Sequence, residues 1–315
     1  MTLKTSSLRF DKLKPVYFAG IFLIALSTLL LEFSLTRVLS VSLWYHFAFM
    51  VISVALLGFG VSGVVLSINK RLNSMETGKL LSFLSICYGA SVIISFILMN
   101  KIPFDPFSLL TDPVQFLYLP LYYLLITIPF FFAGLIISIL LSRFKTDIPK
   151  LYFFDLIGAG LACVVFVLIM PELGGNGSVV IVSAIAFFAA VLFAFENYKV
   201  IALISSVLLI IALTFLINPD ERFPINVTAN KIYGNYIKSR PDLKVRTDWN
   251  TFSKIDVMVD EEKAEDGYDL YLAIIDAGNA TTNIPNVKSL PPVTKPADAS
   301  NLAFVLKDSA EKVLL

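Results

Sequence analysis

The sequence predicts an α-helical polytopic membrane bundle of about seven spans, followed by a small β-rich soluble region. Apolar runs of 18 or more residues recur through the first two-thirds of the chain, enough to cross a hydrocarbon core of about 30 Å. Only 16% of the residues are charged, against about 25% in a typical soluble domain. Those charges avoid the runs and gather in the N-terminus, the short loops and everything after Pro219.

The N-terminus carries Lys4, Arg9, Lys12 and Lys14. A signal peptide starts the same way, but its apolar region is only about 7–15 residues long and ends at a cleavage site. Here the run is longer and leads into Glu32 and Arg37, so it reads as an uncleaved first span. Spans are expected at 16–38, 46–68, 80–99, 116–142, 151–170, 178–196 and 199–217. Only Glu196-Asn197-Tyr198-Lys199 separates the last two, which form a tight hairpin or one re-entrant element. Pro120 and Pro129 should kink the fourth span.

Alternate loops are basic: Lys70, Arg71 and Lys79; Arg143, Lys145 and Lys150; Lys199. The intervening ones are poorer in Lys and Arg. This places the N-terminus in the cytoplasm and the chain in the inner (plasma) membrane as a multi-pass protein. With seven spans the tail lies outside; with six or eight it lies in the cytoplasm. The domains are thus 1–217, transmembrane, and 218–315, soluble.

Within the tail, Val245–Asn250 leads into an alternating strand at Ser253–Val259. A second strand is expected at Tyr268–Ile275, a turn at Asp276–Asn279, and a short third strand at Thr281–Ile284. Residues 299–310 suit a short helix, and Lys312–Leu315 the start of a strand.

Glu32, Arg37 and His46, the only histidine, form a candidate intramembrane polar cluster around the first hairpin. Glu32 and Arg37 are five apart, about 140° around a helix, so they are poorly placed to pair within it. The cluster reads either as an ion pair locking the hairpin or as a substrate or proton site. Ala55, Gly58 and Ser62 share one face of the second span, with Gly60 and Gly63 nearby, and Gly158 and Ala162 share a face of the fifth. Small residues at this spacing let helices pack closely. Asp155 falls in the first turn of its span, where a carboxylate suits the helix dipole. Pro171–Gly177 reads as a turn and lacks the spacing of a phosphate loop. Asn226-Val227-Thr228 and Asn279-Ala280-Thr281 match the glycosylation pattern. Cys87 and Cys163, both inside apolar runs, read as inert buried thiols. One histidine, no metal-ligand cluster and no Gly-x-Ser-x-Gly argue against zinc and hydrolase chemistry. No basic cluster beside aromatics points to nucleic acid.

Leu31-Glu32, Thr36-Arg37, Tyr45–Phe49, Ser53 and Leu56–Gly60 together resemble the first hairpin of the membrane-bound spermidine-synthase-like family. Tyr152–Pro171, with Asp155, is similar to that family's Tyr…Asp-Leu-x-Gly-Ala…Pro span. Trp249–Val257, with Asp256, resembles the strand that opens its soluble domain. Asp276-Ala277-Gly278 resembles the Leu-Asp-Gly turn of soluble spermidine synthases.

The resemblance implies a multi-span domain, a β-region and then a Rossmann-like aminopropyltransferase or methyltransferase-type fold. That fold binds S-adenosylmethionine, or its decarboxylated form, at a glycine-rich loop after its first strand. Lys312–Leu315 matches the start of that strand, and the chain ends there. No catalytic, cofactor-binding or metal residue is therefore expected in this chain, and no cofactor. The resulting expectation is the membrane domain of a spermidine-synthase-like protein, without catalysis of its own. Its expected partners are the lipid bilayer, a synthase-like catalytic domain or a second copy, and no nucleic acid. Two alternatives are a transport or binding protein using Glu32, Arg37 and His46, and an assembly module for a separately encoded catalytic half.

Overall fold

The computed structural model describes residues 13–260 and 270–285. Five stretches are long and apolar enough to cross a membrane. They are α1 (Pro15–Ser42), α2 (Tyr45–Ile68), α3 (Thr77–Lys101), α4 (Gln115–Arg143) and Lys145–Ala194, which continues from a short turn into α5 (Ile148–Ala194). A shorter apolar helix, α6 (Lys199–Thr214), follows. Runs this rich in Leu, Ile, Val and Phe offer the backbone few outside partners, so the helix satisfies its own N–H and C=O groups. Hydroxyls inside the helices turn back on the same ladder, as Ser34 Oγ does to the Leu30 carbonyl at 2.7 Å. The helix α4 continues through both Pro120 and Pro129.

The central helix is α1, with contacts to α2, α4 and both halves of α5. The 47 residues of α5 would extend about 70 Å if straight, over twice a hydrocarbon core. Instead the helix breaks at Gly174, whose φ of 62° and ψ of −174° lie where only glycine is at ease. Ring contacts give the direction of each half. Phe154 meets Phe18 and Phe166 meets Phe33, with centroids 5.0 and 5.3 Å apart, so the first half ascends beside α1. Past the break Gly175 lies against Val38, while Phe193 reaches back to Tyr17 and Gly20. The second half therefore descends beside the same helix. The turn expected at Pro171–Gly177 shrinks to one residue, because helical hydrogen bonding resumes at Gly175.

Close approaches occur where side chains are small. A Cβ on Gly158 would stand 2.3 Å from the Phe22 carbonyl oxygen, and one on Gly58 2.8–2.9 Å from Phe130 and the Phe131 backbone. Ala55, Ser62 and Ala162 are buried along the same two seams. Gly60 and Gly63 face open space on the outer side of α2. That outer side presents Ile52, Leu56, Leu57, Val61, Val64 and Ile68, a continuous apolar stripe suited to lipid. Cys163 is also exposed and Cys87 half-buried, so burial does not shield the pair as expected.

The tail folds as a helix, α7 (Ile232–Ser239), and a four-stranded antiparallel meander: β1 (Lys244–Trp249), β2 (Lys254–Val259), β3 (Leu270–Ile275) and β4 (Ala280–Pro285). The register pairs Asp256 with Ile274 and Met258 with Leu272. On this face Asp256, Met258 and Ile274 are fully buried. The expected helix at 299–310 and strand at 312–315 lie outside the described residues, as does the basic N-terminus up to Lys12.

Candidate functional site at the bundle–sheet junction

The helix α1 ends without a basic residue in its last turn, and its next residue, Leu43, is not a left-handed cap. The last carbonyls of such a helix need donors from elsewhere. Lys231 supplies them. Its Nζ donates to the carbonyls of Ser40 (2.6 Å), Val41 (3.0 Å) and Asp276 (2.6 Å), and stands 5.3 Å from the centre of the Trp44 ring. An ammonium has three N–H donors, and three carbonyls meet them. The negative end of the α1 dipole and the ring face both favour a cation there. Lys231 is 1% exposed. Burial pulls its pKa down to about 7, with Asp276 raising it and Arg37 lowering it further.

Asp276 is the second centre. Its Oδ2 accepts from Arg37 Nη2 (2.8 Å) and Ser40 Oγ (2.9 Å), and its Oδ1 from the Lys254 backbone N–H (2.8 Å). It stands in the β3–β4 turn, where Asp276 and Ala277 take φ of 48° and 57°, followed by Gly278 at 121°. Two consecutive left-handed residues suit a tight hairpin, and Asp tolerates that region while Ala does so at a cost. The paired carboxylate holds the turn in place. Beside it, Asp256 is buried and accepts from Lys254 Nζ (2.7 Å) and Thr247 Oγ1 (2.6 Å).

Further contacts fasten the tail to the same end of the bundle. The Thr228 N–H donates to the Ser42 carbonyl at 2.8 Å, and the Asn226 N–H to Asn100 Oδ1 at 3.0 Å. Asn176 Nδ2 donates to Asp220 at 2.7 Å. The Trp249 indole lies over Gly174 and Gly175, so the α5 break doubles as the seat of β1.

Among the described residues no ion pair or hydrogen bond joins the side chains of Glu32, Arg37 and His46. Arg37 instead reaches Asp276. His46 is exposed and stacks with Tyr45, Phe47 and Phe107. Glu32 is half-buried two-thirds of the way along α1, and its carbonyl accepts from Thr36 Oγ1. Asp155 lies half-buried on the face of α5 that carries Leu151, Gly158 and Ala162 toward α1. Of the residues drawn from the resemblance, Trp249, Asp256, Asp276 and Gly278 all fall at or beside the junction. Lys231 and Ser40 escape a reading of the sequence. The missing cap at the end of α1 was the signal that a distant cation was needed.

Chemically the junction is a closed polar lock. Arg37 on the bundle and Asp276 on the sheet face each other across one interface. Among the described residues no group of three His, Cys, Asp or Glu side chains is arranged to hold a metal ion. Comparison with protein-family models, with curated proteins and with solved structures finds no match for this chain.

Proposed function

We propose that this chain is a membrane anchor and docking platform of spermidine-synthase-like type, whose helical bundle holds a β-meander rigidly at one end of the membrane. The observation that carries this reading is the Arg37–Asp276–Lys231 lock. Burying two cations and a carboxylate together costs desolvation, and that cost suits an interface meant to stay in one register. Asp256 and Asp276, two of the three aspartates drawn from the resemblance, serve this lock or its flank, which supports a structural role for them here.

The proposal includes seven crossings. The α5 hairpin contributes two and α6 one, although α6 at 16 residues spans only about 24 Å. The basic loops near Lys79, Arg143 and Lys199 gather at the end opposite the sheet, which supports a cytoplasmic N-terminus and a sheet on the outer face. Reporters fused after Leu173 and after Pro219 test the topology. Both should read outside; a cytoplasmic signal at Pro219 contradicts seven crossings. Equilibrium binding of S-adenosylmethionine to the purified chain tests the functional reading. Anchoring without catalysis predicts no micromolar binding, and micromolar binding overturns it.

A further inference from the structure

At the end of the bundle away from the sheet, a half-enclosed cavity of about 140 Å³ opens between the start of α1, the start of α3 and the α5–α6 turn. That is roughly ten times the ~15 Å³ a single water needs. Its wall is apolar at Val16, Leu192 and Phe193 and carries Lys14, Glu76 and Glu196. The charge arrangement is unusual for its place. The surrounding loops expose Arg71, Lys79, Lys145, Lys150 and Lys199. Of the nearby acids, Asp147 pairs with Lys150 outside the cavity, while Glu76 and Glu196 both line it. Glu196 is paired with Lys14. The Glu76 carboxylate makes no ion pair among the described residues. Lys79 and Lys199 stand one residue beyond the lining Gly78 and Tyr198. Glu76 and Glu196 are exposed lining residues, each followed three positions on by an exposed lysine, Lys79 and Lys199, so one unpaired carboxylate and two cations flank the cavity where the membrane reading puts lipid headgroups.

We propose that this cavity binds the headgroup of an aminophospholipid, with the primary ammonium against Glu76 and the phosphate toward the exposed Lys79 and Lys199 beside it. A primary ammonium brings three N–H donors to a carboxylate, whereas a trimethylated one brings none. A net anionic headgroup would set its excess negative charge against Glu76 and Glu196. This assignment rests on the membrane reading above.

The test uses the full chain in nanodiscs of equal phosphatidylethanolamine, phosphatidylcholine and phosphatidylglycerol content, with retained lipid read by native mass spectrometry. Phosphatidylethanolamine should be retained about fivefold over either competitor, and E76Q should remove the preference. E172Q, at the other end, should leave it intact. Equal retention, or preference for phosphatidylglycerol, overturns the proposal. So does soluble phosphoethanolamine binding to chain in pure phosphatidylcholine discs with the same E76Q sensitivity, which would assign the site to a free headgroup. Recovery of the chain from cells without detergent would instead defeat the membrane reading itself.

Discussion

The Arg37 guanidinium donates to the Asp276 carboxylate at 2.8 Å, across 239 residues of chain, and joins the end of the central helix to the β3–β4 turn. Both side chains are largely withdrawn from water, at 16% and 7% exposure. Removing one partner of such a pair strands the other, which typically costs about 3–5 kcal/mol. Asp276→Asn and Arg37→Met should each loosen the sheet by about 3 kcal/mol, while the double variant costs less than the sum. Hydrogen exchange in β2 and β3, measured in detergent micelles, reads the effect. Additive losses would mean that the pair is not coupled.

Lys231 predicts a pH dependence whose sign can be stated. Its pKa falls from 10.5 to about 7 on folding, so between those values the unfolded chain binds more protons than the folded one. The stability contributed by this group therefore rises with pH from about 7 to about 10, at no more than ~1.4 kcal/mol per pH unit, and is flat below 7. Lys231→Met should abolish that slope relative to wild type. At pH 7 it should cost about 2 kcal/mol, because three carbonyls lose their donors. Urea titrations of the two proteins at pH 6, 7, 8.5 and 10 give the comparison.

Much of the fold could be read from the residues. The long apolar runs specify α1 to α4 to within a few residues at most ends, because a helix is the one local structure that satisfies its backbone in lipid. The α5 hairpin was harder. Pro171 and three glycines suggest a loop, yet one glycine at φ 62° suffices to turn the chain. Alternation marked β2 and β3, while β1 and α7 carry too little periodicity to stand out. The junction was half legible. Arg37 and Asp276 each stand out in the sequence, but their partnership depends on long-range packing. Lys231, in an ordinary polar stretch, carries no local mark of its burial.

Two glycines on different helices, Gly158 on α5 and Gly60 on α2, separate packing from composition. Gly158→Ala brings a methyl against the Phe22 carbonyl, which cannot move without displacing α1. It should cost roughly 1–3 kcal/mol. Gly60→Ala meets nothing within 4 Å and should be neutral or slightly stabilising, since alanine is the better helix former. Thermal aggregation midpoints in detergent rank the two.

Gly174→Ala tests the α5 hairpin. The β-carbon would fall 2.7 Å from the Trp249 indole nitrogen, at a backbone conformation that L residues avoid. The expected loss is about 2–3 kcal/mol, accompanied by increased exposure of Trp249. Quenching of tryptophan fluorescence in Trp44→Phe backgrounds follows the indole directly. Unchanged quenching would show that β1 does not rest on the break.

The most direct measurement is a cross-link between the two ends of the lock in native membranes. Ser40 Oγ and Asn279 Nδ2 lie 3.5 Å apart, one on α1 and the other in the β3–β4 turn. A chain with Ser40→Cys and Asn279→Cys, and with Cys87 and Cys163 replaced by alanine, should form the disulfide within minutes of mild oxidation, as seen by peptide mass spectrometry. A control pairing Asn279→Cys with Val16→Cys, at the opposite end of α1, should not. Absence of the Ser40–Asn279 link, or equal yield from the control, would contradict a sheet docked on the end of the bundle.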